Sequence, residues 1–128
     1  LVAFDREVLI REGNIDAQRI ASYAILSLRD DDTLGGIVEK PSASDLTRVP
    51  SRWISMNLWR FDTTILAACR DVAPSTRGER ELPMAVALAV ERGGRLDAVR
   101  IAAGVLDLSN RGDIADLARR LGEREIAP

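Results

Sequence analysis

The chain has 128 residues, 46% of them hydrophobic, with 18 basic and 20 acidic side chains and a formal net charge of −2. That is the size of one domain with enough surface to bury a core, and the interspersed charge excludes the clustered basic face of a nucleic-acid binder. The longest apolar run, Met84 to Val90, is far short of the ~20 residues that span a bilayer, and the absence of His with a lone cysteine, Cys69, excludes an internal disulfide, a His-based triad and zinc held by His or several thiolates.

Leu1-Val2-Ala3-Phe4 reads as a short buried strand with no residues leading in, so the chain is expected to be the C-terminal part of a longer domain. Asp5 to Arg11 is expected to form a short helix ended by Gly13-Asn14. Asp16 can cap a turn running through Ile20. Ser22 to Leu28 and Leu34 to Lys40 flank the polar stretch Asp30-Asp31-Asp32-Thr33, the pattern of a β-hairpin. The triple Asp lacks the alternating acids, the Gly and the distal Glu of an EF-hand, and reads as a solvated tip.

Pro41 stops the hairpin, and the polar stretch Ser42 to Arg52, which contains Pro50, reads as a loop. Trp53 to Phe61 alternates as a strand. Ile54, Met56 and Leu58 share a face that suits packing under a helix, and Ser55, Asn57 and Trp59 share one that suits either a pocket wall or solvent. Asp62 is expected to cap a helix whose buried stripe is Ile65, Leu66, Cys69 and Val72, which makes Cys69 a core residue rather than a nucleophile. After Pro74 and the polar loop Ser75 to Glu79, a helix from about Arg80 to Arg92 carries Pro83 in its first turn and ends at Gly93. Arg95 to Ile101 and Gly104 to Leu108 read as short strands. Ser109 or Asn110 caps a last helix with Ile114, Leu117, Ala118 and Leu121 on one face. Strands and helices mix throughout, so the expected class is α/β or α+β around a mixed sheet, with residues 1–128 as one unit.

Glu39-Lys40-Pro41 ends a strand on a double acceptor beside a cation. Strand alternation would aim the two side chains at opposite faces unless the strand breaks there, and Pro41 makes a break plausible. The pair could then hold a sugar phosphate, Glu39 accepting from hydroxyls and Lys40 meeting the phosphate; the alternative is a surface ion pair before a loop.

In order along the chain, Tyr23-Ala24-Ile25-Leu26, Glu39-Lys40-Pro41, Ser55-Met56-Asn57-Leu58-Trp59-Arg60-Phe61, Arg77-Gly78-Glu79-Arg80-Glu81-Leu82 and Leu106-Asp107 resemble the C-terminal half of sugar-1-phosphate nucleotidyltransferases. That family includes the glucose-1-phosphate thymidylyl- and uridylyltransferases. The resemblance implies a Rossmann-like α/β sandwich with a mixed sheet, and a reaction that joins a sugar 1-phosphate to a nucleoside triphosphate and releases pyrophosphate. It implies Glu39 on the sugar hydroxyls, Lys40 on the sugar phosphate, and Ala24 and Asn57 lining the sugar pocket. It also implies Mg²⁺, with Asp107 as one of its ligands.

The sequence departs from that pattern in several places. The family's glycine-rich nucleotide loop, its following Lys and its first metal-binding Asp have no counterpart here. Leu108-Ser109-Asn110 stands where the family has Thr-Gly-Thr, Pro83-Met84 replaces its Thr-Asp, and Ala24 and Asn57 stand where glycine is common. The chain alone is therefore expected to bind sugar phosphate without catalysing, its nucleotide-binding half and its NTP lying upstream. The alternatives are a catalytically silent binding or regulatory module with the same fold, and a half-domain that forms homo-oligomers through an open sheet edge. A cytoplasmic location, no membrane and no nucleic acid complete the expectations. Of the 18 basic residues only Lys40 is Lys, where the resemblance asks for a compact cation rather than the wide fork of Arg.

Overall fold

A computed structural model describes residues 1–49 and 51–122; Pro50 and residues 123–128 lie outside the described part. The sheet has five strands, β1 (Val2–Asp5), β2 (Ala24–Leu28), β3 (Leu34–Val38), β4 (Trp53–Ser55) and β5 (Val99–Ile101), in the order β3-β2-β4-β1-β5. β1 and β5 pair in parallel and every other pair is antiparallel, so the sheet is mixed, as expected.

Helices cover both faces. On one face Ala3, Leu26 and Leu34 pack with Ile65, Ala68 and Val72 of the segment carrying α3 (Ile65–Asp71), and with Ala85 and Val86 of α4 (Leu82–Glu91). Cys69 joins this cluster as a partly buried side chain. On the other face Phe4, Ile25 and Ile54 meet Leu9 of α1 (Arg6–Glu12), together with Ile15 and Ile20. The expected faces of the β4 segment hold in part: Ile54 and Met56 pack on the α1 side and Trp59 on the α3–α4 side, but Leu58, expected beside Ile54 and Met56, is exposed. Among the described residues no helix is long and apolar enough to cross a membrane.

Asp5, expected as the first residue of the α1 helix, is its N-cap instead. Its buried carboxylate accepts from the Glu7 and Val8 amides and from Arg52 Nε at 2.5 Å. Burial pushes this carboxyl's pKa up, but the Arg52 hydrogen bond and the two amides outweigh it and hold it below its ordinary value. The hairpin tip is solvated, as expected, and its exposed acids also pair with basic side chains: Asp31 meets Arg95 at 3.2 Å and Asp32 meets Arg100 at 2.5 Å.

In α3 the N-cap is Thr64 rather than Asp62, and Leu66 of the expected buried stripe is exposed. Three other elements differ. The stretch after Pro41 contains a helix, α2 (Ala43–Arg48), because Ser42 and Asp45 form a reciprocal capping box. β4 stops at Ser55 instead of running to Phe61, because Asn57 takes a left-handed backbone with φ 57°. Gly104 to Leu108 forms no strand. It runs against the end of α1 so closely that a Cβ on Gly104 would lie 2.6 Å from the Glu12 carbonyl oxygen. Its polar backbone is met by a side chain instead: Asn14 accepts from the Asp107 amide at 2.7 Å and donates to the Asp107 carbonyl at 2.8 Å. The last helix is α5 (Asp113–Gly122).

Candidate functional site

The strand register brings three of the expected site residues to one end of the sheet. Ala24 of β2 faces Ser55 of β4, and Ile25 faces Val38 of β3. The first residue of β2, the residue after β3 and the turn after β4 therefore lie side by side. They carry Ala24, Glu39 and Asn57.

The backbone breaks at the end of β3. Lys40 follows β3 with φ 45°, so the strand's alternation ends at Glu39. The two side chains then come together, with Lys40 Nζ 3.9 Å from Glu39 Oε1. A non-glycine residue at positive φ is unusual, and before a proline more so. Asn57 adopts the same region at φ 57°, at a position where the resembling family often carries glycine. Asn tolerates it better than other side chains do. The third such residue among those described, Asp32, serves the hairpin tip.

Arg77 and Glu81, from the connection between α3 and α4, stand against this end of the sheet. Their charges act on Glu39, and Glu81 also feels Lys40. Arg77 and Glu81 hydrogen-bond to each other, and Arg77 reaches Glu79 at 3.7 Å. The result is a cluster of two cations, Lys40 and Arg77, and three carboxylates, Glu39, Glu79 and Glu81. Burial, the largest influence, pushes the Glu39 pKa up; Lys40 pulls it down, Glu81 pushes it up and Arg77 pulls it down, and the net is above its ordinary value. Glu81 is held below its ordinary value, chiefly by the Arg77 hydrogen bond. The site reading of the sequence did not include Arg77 and Glu81. The signal available for them was the Arg-Gly-Glu-x-Glu segment itself.

Ala24 is 3% exposed, so its methyl packs into the sheet rather than facing an open space. An open cavity of about 830 Å³ lies elsewhere, between the start of β1, Leu58 to Phe61 and the turn before β5, and none of the five expected residues lines it.

Asp107 has a different setting. Its Oδ2 accepts from Arg19 at 2.7 Å, from the Tyr23 hydroxyl at 2.9 Å and from Ser109 Oγ at 2.5 Å. Arg19 also meets Asp113 at 3.0 Å. Burial, and then the Asp107 carboxylate, push the Tyr23 phenol up to about 12. Among the described residues no hydrogen bond or ion pair joins this network to Glu39 or Lys40. The Mg²⁺ that the resemblance implies is expected of the longer protein, and Asp107 in this chain does not by itself make a site for it. One oxygen of Asp107 already has three donors, the nearest charge is a guanidinium, and no three His, Cys, Asp or Glu side chains among the described residues converge on a possible ion.

No protein-family model matches the chain. It is similar to the UTP–glucose-1-phosphate uridylyltransferase AglF of Haloferax volcanii, with 29% identity over 119 residues. The matched region takes in 93% of this chain and 46% of AglF, so the chain spans about half the length of that relative. Over nearly all its length, the chain is thus similar to a sugar-1-phosphate nucleotidyltransferase, and its mixed five-stranded sheet under two helical layers is an α/β fold consistent with a fragment of one.

Proposed function

We propose that this chain is the sugar-phosphate-binding portion of a nucleotidyltransferase that joins a sugar 1-phosphate to a nucleoside triphosphate with release of pyrophosphate. The observation that carries the reading is the paired left-handed backbone at Lys40 and Asn57. Two of the three non-glycine residues at positive φ among those described coincide with candidate sugar-phosphate residues. Such backbone is disfavoured by about 1–3 kcal/mol per residue and persists where the surroundings or a function demand it.

In this reading Lys40 supplies a compact positive charge to the sugar phosphate, and Glu39 accepts hydrogen bonds from sugar hydroxyls. Asn57 shapes the turn beside them, and Ala24 closes the floor between them. The guanidinium of Arg77 offsets the carboxylates near an incoming anion. In the whole reaction an oxygen of the sugar phosphate attacks the α-phosphorus of the triphosphate, and the bond to the leaving pyrophosphate breaks. This chain's residues bind and orient the attacking partner. Groups that hold the triphosphate belong to a further part of the proposed enzyme, and so does any complete set of metal ligands.

The test is pyrophosphate release by the protein extended upstream, assayed with glucose 1-phosphate and each nucleoside triphosphate. Turnover with one of them is expected. No turnover with any sugar phosphate, even with Mn²⁺, would leave the second reading standing: a silent binding module that keeps the fold. The observation favouring that second reading is the Asp107 carboxylate already engaged by Arg19, Tyr23 and Ser109.

A further inference from the structure

Asp107 is held through both its carboxylate and its backbone. Asn14, Arg19 and Tyr23 all belong to the connection between α1 and β2, and each reaches Asp107, 84 to 93 residues further along the chain. Asn14 takes both backbone groups of Asp107, while Arg19 and Tyr23 take its carboxylate. The same guanidinium continues to Asp113, whose Oδ2 accepts from the Ser109 and Asn110 amides at the start of α5. The participating side chains of Arg19, Asp107 and Asp113 are 22%, 19% and 14% exposed, so water competes weakly for them. Gly104 lies in backbone contact with Glu12 and Gly13 beside this set, which leaves the strap no room to slide.

We infer that Arg19 is the internal counter-cation of Asp107, and that Asp107 is a positioning residue: it latches the strap after β5, and with it α5, onto the segment that leads into β2. The Arg19 guanidinium meets Oδ2 of Asp107 at 2.7 Å. Its two carboxylate partners, on either side of the α5 cap, make it a bridge that a spherical cation could not reproduce with the same neighbours. The latch also fixes Tyr23, the residue before Ala24, so docking of α5 and the start of β2 are one event. This inference stands independently of the sugar-phosphate reading, because it concerns how the strap is held and not what the chain binds.

The experiment uses the full 128-residue chain and two readouts, Mn²⁺ binding followed by electron paramagnetic resonance and amide exchange over residues 113–122. In Asp107→Asn and in Arg19→Gln, exchange over α5 is expected to quicken by about tenfold, the loss of one partly buried charged hydrogen bond. The double variant should be no faster than the faster single variant, because both changes open the same latch. Mn²⁺ binding should be the same in wild type and Asp107→Asn. A tenfold loss of Mn²⁺ affinity in Asp107→Asn, or unchanged exchange over α5 in both single variants, would overturn the inference. Should either variant fail to fold, Tyr23→Phe removes a single donor and decides the same question on a smaller scale. Faster exchange over 113–122 with Mn²⁺ binding unchanged supports the latch, and unchanged exchange contradicts it.

Discussion

The chain holds two charged clusters that solve opposite problems. Around Asp107, one carboxylate oxygen and both backbone groups are met at short range, by Ser109 nearby and by Asn14, Arg19 and Tyr23 from a distant part of the sequence. Around Glu39 the contacts are looser. Lys40 sits 3.9 Å from its carboxylate with 45% of its side chain exposed, and the backbone under it is left-handed. The first arrangement is what a fold does with charge it must bury. The second keeps charge half-buried and incompletely partnered, at a conformational cost, which is what a binding site does.

Variants of the two clusters should therefore part company. The largest effect is expected on the Asp107 side. Gly104→Ala forces a methyl to within 2.6 Å of the Glu12 carbonyl, and backbone must move. A loss of about 2–3 kcal/mol is expected in chemical denaturation; a loss below about 0.5 kcal/mol would mean that the strap is not held there. Asn14→Ala follows. It leaves the Asp107 amide and carbonyl without partners, and should lower stability by about 2 kcal/mol in the same measurement.

On the Glu39 side the sign reverses. Lys40→Gly relieves the left-handed backbone and is expected to raise stability by about 1 kcal/mol while weakening sugar-phosphate binding. A variant that is less stable, or that binds as well as wild type, would break the contrast between the clusters.

The smallest effect is in pH dependence. The folded state raises the Glu39 pKa, so the native state binds more protons than the unfolded one as pH climbs out of the ordinary glutamate range. Stability contributed by this group is thus lost as pH rises towards its raised value, and then levels off. Glu39→Gln should flatten that part of the stability curve measured by denaturant at successive pH values. An unchanged curve would remove the case for a desolvated carboxylate.

Local rules made much of the fold legible from the sequence. The helix after Asp5, the β2–β3 hairpin, the faces of Ile54 and Met56 against Trp59, and the break at Lys40 all follow from spacing and from one or two neighbouring residues. α2 was hidden because its capping box uses Asp45 rather than the commoner Glu or Gln, inside a stretch that reads as polar loop. The shortened β4 turns on a left-handed conformation at Asn57, which alternation does not reveal. The strap after β5 looks like a strand because it is extended and apolar, but its hydrogen-bond partner is an Asn side chain rather than a neighbouring strand. The meeting of Glu39 and Lys40 at a strand break could be read, because it is set by a short string. The contacts of Asp107 with Arg19 and Tyr23 could not, because they are 88 and 84 residues apart in sequence and only the folded chain brings them together.

The most direct test of the sugar-phosphate reading is a calorimetric titration of this chain with glucose 1-phosphate, beside the Lys40→Ala variant. The account predicts saturable binding by the wild type and affinity at least about tenfold weaker in the variant, the loss of one charge-assisted contact to phosphate. Equal affinity in the two proteins, or no binding by the wild type, would contradict it.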